Sequence, residues 1–553
     1  MFSKLLTINH SDDPYIQKAN KQLKRRCHFM TTIMPVINNP KFQPQYTYNY
    51  NPLLLCDFYK IAHRVQYPKG TQKVYSTWIP RSSRLNSINK VVAFGIQSFA
   101  KEYLIDYFNV MFFDRPKEEV VYGYKEFIYF TLINPGNIAN LSEDLLEQGV
   151  QDVDSDHIAA LHDLGYVPLK IKAVKEGTLV PIKVPVMTVV NTIDEFFWVT
   201  NYFETLFSNE NWLPITDATI AFEYLKVFMK YADLTCDDRS AVPFQGHDFS
   251  MRGMASLGAT MAGGAGHLLS FLGTDTIPAI MHLIRFYNAN IRKEIVGTSV
   301  NATEHSVMCA NGRDEKAVIN RLISEVHPSG IVSIVSDTWD FWHLVTHVYP
   351  SLKDQILVRD GKVVIRPDSG NPVLILVGDP KADTEHERKG LIECLWEIFG
   401  GTVNSKGYKV LDSHIGAIYG DSITLERQLL ILQGLMDKGF ASSNVVLGIG
   451  SYTYQYNTRD TFGFAVKATH VVINGEEFQI YKDPKTDNGM KKSLKGMVAV
   501  VDKEGSIGYI DNLSIDEHAQ YADVDLLEDV FVDGKLVRDQ NLSEIRQILH
   551  SQL

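Results

Sequence analysis

The stretch Val363-Val364-Ile365-Arg366-Pro367-Asp368-Ser369-Gly370-Asn371-Pro372 opens as a short β-branched run and breaks into a turn of Pro, Ser, Gly and Asn. Such a run reads as a buried strand, and the turn projects Arg366 and Asp368 from the end of a rigid element. Three other stretches repeat the pattern: Ile331 to Asp337, His414 to Asp421 and Val445 to Gly450 are apolar runs that stop at polar or small residues. Helical patterns sit between them. One follows the capping candidates Ser422 and Thr424, places Leu425, Leu429, Leu432 and Met436 on one stripe and ends at Gly439. Another runs from about Glu387 to Phe399 and stops at Gly400-Gly401. Alternating strands and helices, with carboxylates at successive strand ends, predict an α/β barrel or open parallel sheet that presents a site on one face. On that geometry Asp337, Asp368 and Asp421 converge.

Toward the N-terminus the signals mix. Lys73 to Trp78, Val167 to Ala173 and Val184 to Val190 read as strands, while Ile193 to Phe207 and Asp217 to Tyr231 carry apolar residues at helical spacing. No repeat and no long Ser/Gly- or Pro-rich linker divides the chain, so its domains are expected to interleave or pack closely. Residues 1–48 are polar and locally basic without sustained periodicity, and read as an extension whose Lys21 to Arg26 cluster is a solvated face.

A hydrophobic content of 45% with 22% charged residues is that of a soluble globular protein and excludes disordered and fibrous classes. Acidic residues outnumber basic ones, 65 to 54, and the net charge of -11 argues against a coat for nucleic acid or anionic lipid while leaving room for a local basic pocket. The five cysteines form no CxxC pair and no zinc-like cluster, which favours a reducing compartment. Gly253 to Thr274 lacks charged side chains apart from His267, but its six glycines and few large apolar residues exclude a membrane span. No apolar signal core begins the chain, so a cytoplasmic location is expected.

Four segments carry candidate chemistry. Arg366 and Asp368, with the similar ending Tyr419-Gly420-Asp421-Ser422, suit a diol such as a ribose, or Mg2+ held through bridging waters; a structural Arg-Asp pair is the plainer alternative. In Gly246 to Gly253 and Phe271 to Thr276, Phe249, Arg252 and Asp275 lie beside glycines. An exposed aromatic there can stack on a heteroaromatic ring, and a carboxylate can accept from an amide; alternatively Phe249 is core and Asp275 a turn residue. Thr303-Glu304-His305-Ser306 offers either a phosphoryl-accepting imidazole or a structural histidine. Leu447-Gly448-Ile449-Gly450-Ser451-Tyr452, with Arg459, Lys467, Lys482 and Lys491 downstream, suits a phosphate cradle, although neither GxxxxGK[ST] nor GxGxxG is present there.

Taken in order, these segments resemble the nicotinamide phosphoribosyltransferases, type II phosphoribosyltransferases that join nicotinamide to phosphoribosyl pyrophosphate. The match is collinear from about Asn49 to near the C-terminus. It runs through Leu54 to Lys60, Gln66-Tyr67-Pro68, Lys73 to Ser76, His247-Asp248-Phe249, Arg252-Gly253 and Gly273 to Thr276. It continues through Glu304-His305-Ser306, Val335-Ser336-Asp337, Ile365 to Pro372, Gly420-Asp421, Thr458-Arg459-Asp460 and Lys482-Asp483-Pro484. The resemblance implies an irregular α/β barrel, at about 186–444, plus a second sheet-containing α+β domain built from both ends of the chain, 49–185 with 445–553. It also implies a head-to-tail homodimer with shared sites, in which Phe249 and Tyr59 of the partner subunit sandwich nicotinamide and Asp275 receives its amide.

By the same resemblance, Arg366, Asp368, Gly420 and Asp421 hold the ribose and its phosphates, and Ser333 also lines the substrate site. Ser451 and Arg459 take the 5′-phosphate, and Arg81, Arg252, Lys467, Lys482 and Lys491 meet phosphate or pyrophosphate. His305 would be phosphorylated by ATP and oriented by Asp337; with Asp368 these form the implied catalytic set. Mg2+ is expected through substrate phosphates and water, with no dedicated protein metal site. Two departures from the family pattern stand out: the glycine-rich phosphate loop is reduced to Gly448 to Tyr452, and Ser250-Met251 replaces the Gly-Tyr that usually follows His-Asp-Phe. The rival readings are a nicotinate-using enzyme of the same fold, a catalytically silent binding protein that keeps the fold, and a phosphate-binding barrel lyase, for which no Schiff-base lysine is evident.

Overall fold

The computed structural model describes residues 50–85, 87–136, 142–420, 422–483 and 493–553, so the 1–48 extension, Asp421 and Lys491 lie outside the described residues. Its organising element is a seven-stranded sheet in the order Gly273–Thr274, Gly246–Asp248, Val445–Ile449, Ile415–Tyr419, Asp360–Arg366, Ser329–Val335, Asn301–Ala302. Every neighbouring pair in it is parallel. The apolar runs form these strands because they are buried: Val363, Ile365, Ile334, Leu447 and Ile449 are all 0% exposed. The segment that ends in Asn301–Ala302 also reaches the opposite edge, where Thr298 donates to Leu272 O (2.7 Å) and accepts from Thr274 N (2.9 Å). The sheet therefore closes on itself through an irregular seam, and the expected α/β barrel is the fold observed.

Helix boundaries follow local chemistry. The Thr424 hydroxyl accepts from Arg427 N and caps the helix Leu425–Asp437, and Gly439 follows it with φ +77°. The single helix expected from Glu387 to Phe399 is instead two, Glu385–Lys389 and Leu391–Phe399, because Gly390 between them takes φ +79° and breaks the hydrogen-bond ladder. Conversely, the expected helix from Asp217 to Tyr231 is the second half of a longer one, Glu204–Thr235, which continues through Pro214.

The glycine-rich helix Leu257–His267 packs against this long helix. A Cβ at Gly266 would fall 2.8 Å from Ala218 N and 3.0 Å from Pro214 O, so the glycines serve close approach of two helices. Among the described residues no helix is long and apolar enough to cross a membrane.

A second seven-stranded sheet is antiparallel where its pairs are resolved, in the order Glu476–Gln479, Ala465–Ile473, Thr71–Ile79, Met187–Asn191, Leu169–Ala173, Glu528–Val532, Lys535–Leu536. It draws strands from both ends of the chain around a core in which the Trp78 ring stacks on Phe464 (5.1 Å, 3° between planes). The chain leaves this sheet after Asn191 and re-enters it at Ala465, with all the parallel strands between.

Candidate active site

The carboxyl ends of the parallel strands open at one mouth, and most of the chemistry-bearing residues stand there. Asp337 follows the strand Ser329–Val335, and its side chain is 5% exposed. One of its oxygens, Oδ1, lies 3.1 Å from His305 Nε2, while Oδ2 accepts from the backbone N–H of Asp368 at 3.0 Å. A single buried carboxylate thus orients the imidazole and pins the Arg366 to Pro372 turn. The segment leading into His305 is tied to the same strand, since Val335 N donates to Thr303 Oγ1 (2.9 Å) and Thr303 N to Ser333 O (2.9 Å). The turn has a second anchor in the Tyr419 hydroxyl, which donates to Ser369 O (2.8 Å) and Gly370 O (3.0 Å).

Glycine lets these parts approach. A Cβ on Gly420 would sit 2.7 Å from Asp368 Oδ1, and one on Gly448 would sit 2.6 Å from the Phe249 ring. At Gly253 it would meet Ser451 Oγ at 2.0 Å, so the Arg252 loop and the reduced phosphate loop are in direct contact. The Arg366 guanidinium lies 5.9 Å from the centroid of Phe249, and its buried Nε has no hydrogen-bond partner among the described residues. The Ser333 hydroxyl, buried on its strand, likewise has none among the described residues.

Asp275 stands at the end of the Gly273–Thr274 strand with its side chain 42% exposed. Burial pushes its carboxyl up, but hydrogen bonds from His247 and Ser299 and the charge of Arg366 outweigh this and hold it below the usual aspartate value. The carboxylate is therefore ionised at neutral pH, and its partner His247 packs on the Phe249 ring at 4.6 Å between centroids.

A second group of expected residues lies with the antiparallel sheet instead. Lys467 is on the strand Ala465–Ile473, Arg81 follows Thr71–Ile79, and Lys482 follows Glu476–Gln479. Arg81 Nε donates to Gly463 O at 2.7 Å. Burial lowers the Lys467 pKa; Glu204 opposes this, and the charges of Arg81, Lys482 and Arg459 add to the lowering. That coupling identifies a cluster of cations whose mutual repulsion an anion would relieve. Tyr59, 58% exposed, also feels Arg459, and the neighbouring buried Lys60 is paired with Glu204 at 2.6 Å.

The family model for the nicotinate phosphoribosyltransferase (NAPRTase) family matches residues 244–535, and the model for the nicotinamide phosphoribosyltransferase N-terminal domain matches residues 51–114. A nicotinamide phosphoribosyltransferase of Acinetobacter baylyi is 48% identical over 92% of this chain and 98% of its own length. The chain belongs to the nicotinate phosphoribosyltransferase family. A nicotinamide phosphoribosyltransferase of Xanthomonas campestris pv. campestris, another relative of this phosphoribosyltransferase, is 33% identical over 90% of this chain and 97% of its own. Among solved structures, a nicotinate-nucleotide pyrophosphorylase from Pyrococcus furiosus shares the fold with a TM-score of 0.54 at 14% identity, covering 92% of this chain and 97% of that one.

Of the residues expected at the site of this phosphoribosyltransferase, the structure gathers Phe249, Asp275, His305, Ser333, Asp337, Arg366, Asp368, Gly420 and Ser451 on the parallel strands or at their carboxyl ends, with Arg252 on the adjoining loop. Tyr59, Arg81, Arg459, Lys467 and Lys482 form the other group. Thr303 and Tyr419 stand inside segments that the sequence marks, but local pattern gives neither a role of its own. The signal for Tyr419 is a tyrosine closing an apolar strand: a hydroxyl buried there requires an acceptor.

Proposed function

We propose that this chain transfers the phosphoribosyl group of phosphoribosyl pyrophosphate to nicotinamide, releasing pyrophosphate and forming nicotinamide mononucleotide for NAD biosynthesis. The observation that carries the choice of acceptor is the ionised Asp275 carboxylate, bonded to the His247 ring on which Phe249 packs. An ionised carboxylate accepts from the NH2 of nicotinamide and repels the carboxylate of nicotinate, so it selects by attraction and repulsion together. The names of the full-length relatives agree with this acceptor.

In the proposed reaction the pyridine nitrogen forms its bond to ribose C1 as the C1–O bond to pyrophosphate breaks, through an oxocarbenium-like state that needs no protein nucleophile. Phe249 stacks the acceptor ring. Arg366, with Asp368 beside the open Gly420 backbone, holds the ribose and its phosphates, joined by Asp421. The 5′-phosphate falls to Ser451 and Arg459. Asp368 is a hard oxygen donor with a carboxylate atom facing glycine, which suits Mg2+ bound through water and substrate phosphates; such an ion would neutralise charge on the departing pyrophosphate.

The cations of the antiparallel sheet, together with Tyr59, complete the site from a second copy in a homodimer, where Arg81, Lys467, Lys482 and Lys491 meet the phosphates. His305, with Nε2–H donating to Asp337, keeps the Nδ1 lone pair free to take the γ-phosphoryl group of ATP as ADP leaves. A cytoplasmic site of action fits substrates of this kind.

The test is product analysis with phosphoribosyl pyrophosphate and Mg2+, nicotinamide against nicotinate, with and without ATP. Nicotinamide mononucleotide should form with a clear preference for nicotinamide, and ATP should raise the rate. His305→Ala should lose the ATP effect and keep basal transfer. A preference for nicotinate overturns the acceptor assignment, and an unchanged ATP response in the variant overturns the phosphohistidine.

A further inference from the structure

Asp275 is held by two side chains that the reaction itself does not require. His247 Nε2 lies 2.9 Å from Asp275 Oδ1, and the Ser299 hydroxyl donates to the same oxygen at 2.5 Å. Both donors are fixed by the ring of strands. His247 belongs to Gly246–Asp248, is 8% exposed, and packs so closely on Gly273 that a Cβ there would lie 2.7 Å from its Nδ1. Ser299 sits in the barrel seam, next to Thr298, whose backbone bonds to Leu272 and Thr274 close the ring. The backbone N–H of Asp275 itself donates to Asp248 O at 2.9 Å. With both donors on Oδ1, the other oxygen, Oδ2, has no hydrogen-bond partner among the described residues and is the atom left for a ligand.

We infer that Ser299, acting with His247, is a specificity-positioning residue: it holds Asp275 turned so that one oxygen is committed to the protein and the other to the acceptor's amide. The inference rests on the proposed preference for nicotinamide and adds its cause. Burial alone favours a protonated Asp275, and a protonated carboxyl donates to nicotinate's carboxylate as readily as it accepts from an amide. Discrimination therefore depends on donors that stabilise the anion. The other groups acting on Asp275 are the charge of Arg366 and the ring of His247; the neighbouring Asp248 carboxylate is turned away, accepting from Ser250 N (2.8 Å) and Thr274 Oγ1 (3.4 Å). The sign follows. A carboxyl whose pKa is held down discriminates to low pH, and losing one donor moves the loss of discrimination to higher pH.

The experiment compares kcat/KM for nicotinamide and nicotinate in the wild type, Ser299→Ala and Ser299→Thr between about pH 3 and 8. Ser299 is exposed, so neither substitution disturbs the core. Ser299→Ala should lower the nicotinamide-to-nicotinate ratio about fivefold, mainly through a raised KM for nicotinamide, and its ratio should begin to fall at a higher pH than that of the wild type. Ser299→Thr, which keeps the hydroxyl, should restore both. A wild-type ratio and pH profile in Ser299→Ala overturns the inference, as does equal impairment of the threonine variant. A wild type that prefers nicotinate instead overturns the proposed acceptor, and the inference with it.

Discussion

Gly448 leaves room for the ring of Phe249: an added Cβ would come within 2.6 Å of that ring and 3.0 Å of the Gly420 backbone. The backbone side of this contact cannot move without disturbing the strand ends, so the ring must give way. Gly448→Ala is expected to raise KM for nicotinamide about tenfold or more while altering melting temperature little, because the ring borders the open mouth rather than the core. An unchanged KM would mean that Phe249 does not stack the acceptor. At this scale the sequence makes the acceptor-side residues visible, since Phe249, Asp275 and Arg366 stand next to glycines and turn residues. It leaves Ser299 and Tyr419 obscure, because each acts on another residue 24 or 50 positions away in the chain.

Among elements, the pair formed by Glu204–Thr235 and Leu257–His267 carries an unusual load. Asp217, midway along the longer helix, is 0% exposed, and neither carboxyl oxygen has a hydrogen-bond partner among the described residues. Its Oδ2 faces Gly263, where a Cβ would lie 2.3 Å away. Burial and the nearby charge of Asp248 raise its pKa well above the ordinary value, so the folded state keeps a proton that the unfolded chain releases. The sign is then fixed: stability linked to Asp217 is present below its unfolded pKa and is lost as pH rises toward the folded value. Asp217→Asn cannot titrate, and its melting temperature should fall less between about pH 5 and 8 than that of the wild type, by about 3 °C. Equal slopes would show that Asp217 does not carry the linkage.

The chain's strand ends are legible in advance because β-branched runs stop abruptly at Asp, Gly and Ser. The helix at 257–267 reads poorly because its glycines have low helix propensity, and only close packing on the longer helix stabilises it.

At the scale of the whole molecule, the net charge of -11 conceals a division of labour. Carboxylates and the acceptor side gather at the barrel mouth, while Arg81, Arg459, Lys467 and Lys482 gather with the antiparallel sheet, where burial and mutual repulsion depress Lys467. The proposed polyanionic substrate needs both groups, which is the physical case for the proposed homodimer: each site would take its mouth from one copy and its cations from the other. Which strands join which sheet is beyond reading from local pattern, because Thr71–Ile79 finds its partner in Ala465–Ile473, at the far end of the chain. The dimer can be tested by complementation. Asp368→Ala disables the mouth and Arg459→Ala the cation group, and each alone is expected to be nearly inactive. Co-expressed in equal amounts, half of the dimers are mixed, and each mixed dimer pairs one doubly damaged site with one intact site. Activity should therefore recover to about a quarter of the wild type. Activity no greater than that of the two variants measured separately would mean that mouth and cations meet within one chain.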